Sequence, residues 1–387
     1  VRQSFLGYKR SDGSVGVRNH VLILSTVVCA SHVARLIAEK VQGTIPLVHE
    51  HGCAQSGADK EQTERILVGL AKNPNVSAVL VVGLGCETIN APDVKQEIDV
   101  SGKPVEMLII QDNGGTKESV QKGVKIAHDL LDYASALNRE EAGIESLIIG
   151  TKCGGSDACS GISANPASGY ACDLIVKAGG TVILAETTEM IGAEHLLAER
   201  AINESVARRI IEFVYRVEDR AIAMGVDMRG ANPAPGNFAG GITTLEEKSL
   251  GAIVKAGTST INEAVEYGVR PAQKGLVIMN SPGHDMASLA GELASGAQII
   301  AFTTGRGSPA GSPIAPVIKI ATNSVMFSRM KDNMDINAGT IIDGEETLKE
   351  VGERIFNEIL EVASGKLTKS EILGHREFSI DRLSPFF

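Results

Sequence analysis

The 387-residue chain carries 37 Lys and Arg against 47 Asp and Glu, a net charge of −10 that argues against a general binder of nucleic acid or of anionic membranes. With 43% hydrophobic and 22% charged residues, and no apolar run near the roughly 18 residues of a membrane span, it reads as a soluble α/β protein of two or three domains. Six cysteines in so long a chain do not make a disulfide framework, so a reducing cytoplasm with free or metal-bound thiols is expected.

Four short Val/Ile-rich runs each lead into a cysteine. Residues 21–28 lead to Cys29, and residues 44–48 to His49-Glu50-His51-Gly52-Cys53. Residues 76–82 lead to Gly83-Leu84-Gly85-Cys86-Glu87, and residues 146–149 to Gly150-Thr151-Lys152-Cys153. Runs of this kind suit buried parallel strands. Helical patterns at 31–40, 59–71 and 116–136 alternate with the first strands. The alternation predicts mostly parallel sheets whose carboxyl ends share one edge, where ligands bind.

The polar stretch 138–143 reads as a linker, dividing the chain into two Rossmann-like α/β domains, 1–140 and 144–387, with the site at the carboxyl ends of the strands. The second block holds strands at 146–149, 181–185, 275–279, 298–303 and 317–321. One helix opens on Asn203 as N-cap and stops at Gly225; another runs over 345–363. Residues 229–241, with Pro233 and Pro235, form a long loop of the length that usually has a function.

Each candidate group has a plain structural reading beside a chemical one. Free cysteine commonly packs as a small hydrophobe, and Cys159 and Cys172, outside the strand–loop pattern, read that way. Cys29, Cys53, Cys86 and Cys153 converge on strand ends, where thiolates suit zinc or iron. No Cys-x-x-Cys pair occurs, which argues against a structural zinc site. Glu186, Glu189, Glu194 and His195 follow a strand closely enough to supply metal ligands and an acid–base pair. A polar loop entering a helix explains the same residues. Arg306, between Gly305 and Gly307, suits a carboxylate; the turn Ser281-Pro282-Gly283-His284-Asp285 is similar in kind. Lys248 is a base or a solvated helix charge. Phosphate-loop, complete dinucleotide-fingerprint and hydrolase-elbow motifs are absent, which disfavours a nicotinamide dehydrogenase.

Taken in order, the loops resemble the altronate/galactarate dehydratase family of sugar-acid hydro-lyases over nearly the whole chain. The matching residues include Asp12 to Asn19, His49 with Gly52-Cys53, Gly83 to Glu87, and Cys153-Gly154-Gly155-Ser156-Asp157. They continue through Glu186-Thr187 with Glu189, Gly192 to His195, Glu247 to Gly251, Phe302 to Ser308, and Met334 to Asn337. The large subunit of sulfolactate sulfo-lyase resembles the same pattern. Phe238 stands where the family usually has Lys, and Asn280 and His284 where it has Asp and Tyr, so a shifted substrate is expected.

The resemblance implies metal-assisted β-elimination of water from a sugar acid, giving a 2-keto-3-deoxy acid. The implied metal is iron(II); a three-Cys iron–sulfur cluster with an open iron is the alternative, and zinc or manganese ranks behind both. Candidate ligands are His49, Cys53, Cys86, Glu87, Cys153 and Glu186. His195, Lys248 and Glu194 are the candidate catalytic residues, and Arg306, Arg18, Asn19, Asn237, Asp285 and Asp157 the candidate substrate contacts. The implied partners are a small hydroxy acid and a separate small subunit, in a homo-oligomer without nucleic acid or membrane. A carbon–sulfur lyase releasing sulfite and a non-catalytic sugar-acid-binding subunit are the rival readings.

Overall fold

Alternate residues of the strand His20–Ser25 enter different cores, so the run has no polar face to show in the sequence. Val21 and Ile23 pack with Ile37, Leu80 and Leu130; Leu22 and Leu24 pack with Ile66, Val79, Leu293 and Ile300. The computed structural model describes residues 3–384; the outermost residues of the two expected domains, 1–2 and 385–387, lie outside them. A four-stranded parallel sheet has the order Thr44–Leu47, His20–Ser25, Val76–Gly83, Val105–Ile109. Helices Ser31–Lys40 and Thr116–Ser135 contribute to the core on one face, and Gly57–Lys72 and Ala91–Asp99 to the core on the other.

A seven-stranded sheet, parallel throughout, runs Ile261–Val265, Gly275–Met279, Thr181–Leu184, Ile148–Gly154, Ile299–Thr304, Val317–Ala321, Ile336–Asn337. One face packs with Ala171, Phe213 and Ile355 from three helices, Ala164–Lys177, Glu204–Ala223 and Leu348–Ala363. The other face shares a core with the small sheet, filled by helices Gly57–Lys72 and Asp285–Ala294. Asn73 Nδ2 donates to the carbonyls of Leu293 and Ala297 at 2.8 Å, tying the two helix ends together.

In the large sheet the chain starts at Ile148–Gly154, builds to one side, and returns to the other with Ile299–Thr304. The small sheet does the same around His20–Ser25. Each sheet therefore has a switch point at the carboxyl end of its first strand, where open α/β sheets bind ligands.

Several expectations need correction. The expected linker contains the strand Glu140–Gly143, antiparallel to Ser4–Lys9 in a three-stranded sheet with Val15–Gly16. Arg139 fastens it by donating to the carbonyls of Leu6 at 2.6 Å and Val17 at 2.8 Å. The strand expected at 146–149 runs Ile148–Gly154, because neighbours on both sides hold it and pair Thr303 with Cys153. Lys152 and Cys153 thus belong to the sheet itself. Strand Ile261–Val265 was not expected: it lies at the sheet edge and carries Asn262 and Glu263. Within the loop 229–241 lies a short helix, Pro235–Ala239. Among the described residues no helix is long and apolar enough to cross a membrane.

Candidate active site

At the carboxyl end of Ile148–Gly154, five ionisable groups are buried against one another. Lys152 pairs with Glu186, and its Nζ also lies 3.0 Å from Asp285 Oδ1. Glu186 Oε2 accepts from the Cys153 backbone N–H at 3.0 Å and from Lys255 Nζ at 2.8 Å. Cys153 Sγ lies 2.7 Å from Glu189 Oε2, and Lys255 Nζ lies 3.3 Å from the same oxygen. Lys248 Nζ approaches the other Glu189 oxygen at 3.3 Å. Lys152, Cys153, Glu186, Glu189 and Lys255 are all buried.

Backbone geometry helps to aim Glu186. Its φ of 73° lies in the left-handed region that non-glycine residues rarely adopt, a conformation that persists only where neighbours enforce it. Ser281 enforces it: its hydroxyl accepts from Glu186 N at 2.8 Å and its carbonyl from Thr187 N at 3.1 Å.

Ammonium groups set the charge states. Burial opposes ionisation of Glu189, yet Lys255, Lys248 and Lys152 hold its carboxyl down to about 2. Burial and the Glu189 charge push the Cys153 thiol up, so at neutral pH its S–H donates to Glu189. Burial works against the Lys255 charge, but the acidic groups around it win and raise its pKa. Glu292, beneath the strand, has its carboxyl pushed up to about 8 by burial while one oxygen accepts from Thr151 N at 2.8 Å.

Cys153, Glu186 and Glu189 each present a ligand atom within 4.8 Å of the others, a spacing at which one metal ion could be held. Lys255 Nζ is already against all three, 3.2 Å from Cys153 Sγ and 2.8 Å and 3.3 Å from the carboxylates. The ammonium stands where an ion would bind. The implied iron(II) therefore does not fit this group unless Lys255 moves away.

Beside the network, Asp157, Ser160, Asn165, Glu247 and Lys248 line a cavity of about 270 Å³. Asp157 also lines a second hollow with Arg306, Asn323 and Arg329. Its carboxylate is fixed by Ser160, Thr322 and Asn323, each donating at 2.9 Å. Arg306 is exposed, its backbone N–H bonded to the Gly155 carbonyl at 2.8 Å.

The structure thus brings Cys153, Glu186, Asp285 and Lys248 into one network, with Asp157 and Arg306 at its cavities. Other candidates lie apart from that network. His195 is exposed on the short helix Glu194–Ala198, and Glu194 caps its own loop by accepting from Gly192 N at 2.6 Å. Asn237 braces the backbone, donating to the Ser156 carbonyl at 2.9 Å. Arg18 is buried against Glu371 at 2.7 Å, with three backbone carbonyls filling its other donors. Asn19 joins Arg10 to the Ala134 carbonyl. Arg18 and Asn19 serve packing, which their place in a motif did not reveal.

The remaining candidates lie at the small sheet. His49 Nε2 donates to the Ser25 carbonyl at 2.8 Å and Nδ1 accepts from His51 N at 3.1 Å, so neither nitrogen is left for a metal. Burial lowers its pKa to about 4. Glu87 accepts from Thr26 Oγ1 at 3.0 Å and Leu84 N at 3.1 Å, fixing its loop. Cys53 and Cys86 are exposed there, as is Cys29.

Sequence reasoning missed Lys152, Lys255 and Glu292, and read Glu189 only as one of several carboxylates that could supply metal ligands or an acid–base pair. The available signal was charge inside apolar runs: Lys152 ends a Val/Ile-type strand and Lys255 sits in Ala252-Ile253-Val254-Lys255-Ala256. Lysine and glutamate are almost never fully buried unless paired.

Fold and site define an α/β enzyme whose acid, amine and thiol groups gather at a sheet switch point beside a polar cavity. Residues 144–385 match the family described as D-galactarate/altronate dehydratase, C-terminal, and residues 7–135 match D-galactarate dehydratase/altronate hydrolase, second domain. The chain belongs to this dehydratase family and is a lyase of the altronate/galactarate dehydratase type. It is 36% identical to the altronate dehydratase of Bacillus subtilis, over 98% of this chain and 77% of that one. It is 39% identical to the L-threo-forming galactarate dehydratase of Escherichia coli, over 94% and 73% of the two chains. It is also 36% identical to the (2R)-sulfolactate sulfo-lyase subunit beta of Chromohalobacter salexigens, over 98% of each.

Proposed function

We propose that this lyase eliminates water from a sugar acid of the altronate or galactarate type, giving a 2-keto-3-deoxy acid. The observation that carries the reading is Lys248, which lines the polar cavity while its Nζ lies 3.3 Å from the buried Glu189. Arg306 holds the substrate carboxylate by a charge-assisted hydrogen bond. Lys248, an ammonium paired with Glu189 at rest, first releases a proton to solvent; the free amine then takes the proton from C2, and Glu189 stabilises the ammonium that re-forms. The C3–O bond breaks, the hydroxyl leaves as water with the proton that Lys248 took from C2, and the enol gains a solvent proton at C3 while its O–H proton passes to solvent, giving the ketone. Lys255 occupies the Cys153–Glu186–Glu189 group, so no step is assigned to an ion there.

Loss of sulfite from a sulfolactate is the second reading, favoured by the equal 36% identity to the sulfo-lyase subunit and to the altronate dehydratase. That relative's designation as a subunit supports testing this chain with a small companion subunit. The test supplies altronate, galactarate and sulfolactate in parallel and measures 2-keto acid and sulfite. Keto acid from a sugar acid supports the first reading. Sulfite from sulfolactate alone replaces it with the second, and turnover of none leaves a sugar-acid-binding role.

A further inference from the structure

Lys248 is held from two sides. Its Nζ lies 3.3 Å from Oε1 of the buried Glu189, and it donates to Asn232 Oδ1 at 3.0 Å. Glu189 reaches it from the turn after the strand Thr181–Leu184. Asn232 reaches it from the long loop 229–241, which has no other part in the network.

Both ends of the Asn232 contact are built firmly. The helix Leu245–Ile253 starts on Thr244, whose Oγ1 accepts from Glu247 N at 3.1 Å and whose carbonyl accepts from Lys248 N at 3.2 Å. Asn232 is half-buried, its own N–H donates to the Met228 carbonyl at 2.9 Å, and Pro233 beside it is buried. A few residues on, Asn237 Oδ1 accepts from Ala234 N and Nδ2 donates to the Ser156 carbonyl, both at 2.9 Å. Ala158 N donates to the Gly240 carbonyl at 2.9 Å. The loop is thereby fastened to the turn that follows Cys153, so Asn232 meets Lys248 from a fixed base.

We propose that Asn232 is a positioning residue that aims the free amine of Lys248 at the substrate. This role rests on the reading of Lys248 as the base. An ammonium has only donors, so the oxygen of the Asn232 amide is the atom that faces it. Once a proton has left, the amine keeps two N–H groups and one lone pair. Glu189 and Asn232 both offer acceptors, so each draws an N–H and repels the lone pair. The lone pair is left the remaining direction, and Lys248 lines the cavity beside the network. After the C2 proton is taken, the N–H in that direction is the one that serves the departing 3-hydroxyl, so one aimed group makes both transfers. Without the second acceptor the amine would swing on a long flexible stem. An amide supplies that acceptor without a further negative charge, which would favour the ammonium over the free amine.

The test compares Asn232→Leu, similar in shape but without the oxygen, with Asn232→Asp, which keeps it, and with Lys248→Met. Each full chain is supplied with its small companion subunit and assayed on altronate and galactarate at its own pH optimum. Asn232→Leu should lower kcat by up to about 100-fold, the scale of a misplaced reacting group, with KM nearly unchanged. Asn232→Asp should recover most of that loss. Wild-type kcat in Asn232→Leu overturns the positioning role and leaves Lys248 as the base. A loss seen in KM or in the melting temperature, and not recovered in Asn232→Asp, overturns it too and makes Asn232 a structural residue. Wild-type kcat in Lys248→Met, or no turnover of either acid by the wild type, removes the base itself and the role of Asn232 with it.

Discussion

Lys255 Nζ lies 2.8 Å from Glu186 Oε2, deep at the end of the central strand of the large sheet. That ammonium completes a balance in which Lys152, Lys248 and Lys255 face Glu186, Glu189 and Asp285. Charges so far from water persist only in such company.

Lys255→Ala leaves two buried carboxylates short of a partner, and breaking a buried pair in this way costs about 3–5 kcal/mol. Urea titration should show a loss of that order. The emptied position should then accept cobalt(II), giving thiolate-to-cobalt absorption that disappears in the Lys255→Ala, Cys153→Ser double variant. Cobalt bound through Cys153 in the wild type would contradict the view that Lys255 fills the site.

Lys248→Met should lower kcat by about 100- to 10,000-fold, the range for removing a general base. Its melting temperature should also fall, since Lys248 pairs with the buried Glu189, so kcat is compared at a temperature where the variant is fully folded. His195→Ala, on an exposed surface away from the network, should retain nearly full kcat. A reversal of these two results would move the base to His195.

Arg306→Ala should raise KM for the sugar acid by roughly 10-fold or more with a smaller change in kcat, because a charge-assisted bond of about 1.5–3 kcal/mol is lost. An unchanged KM would remove Arg306 from substrate binding.

Burial raises the Glu292 carboxyl to about 8 in the folded protein. Between its unfolded value near 4.3 and about 8 the folded state binds the extra proton, so its contribution to stability falls as pH rises through that window. Glu292→Gln should flatten the fall in urea midpoints from pH 5 to pH 8. Glu189, held down to about 2, has the opposite sign: its contribution is present above about pH 4.3 and is lost on acidification. Identical pH profiles for wild type and Glu292→Gln would show that Glu292 carries no such burden.

The parallel sheets were legible because their strands are buried on both faces and so read as unbroken Val/Ile runs, as in residues 76–82. The strand Ile148–Gly154 was cut short because Lys152 looks like a loop residue until Glu186, 34 positions away, is known to pair with it. Cys153, Glu186 and Lys248 could be singled out by residue type and place after a strand. Lys255 could not, because its partners come from two other strand ends. Arg18 and Asn19 show the reverse case, with motif residues turned to the support of Glu371 and Ala134.

The most direct test follows altronate and galactarate by proton NMR in deuterium oxide, using enzyme supplied with its small companion subunit. Elimination between C2 and C3 predicts a 2-keto-3-deoxy acid carrying one deuterium at C3, formed by the wild type and lost in Lys248→Met. Turnover of sulfolactate alone, or deuterated product undiminished in Lys248→Met, would contradict the account.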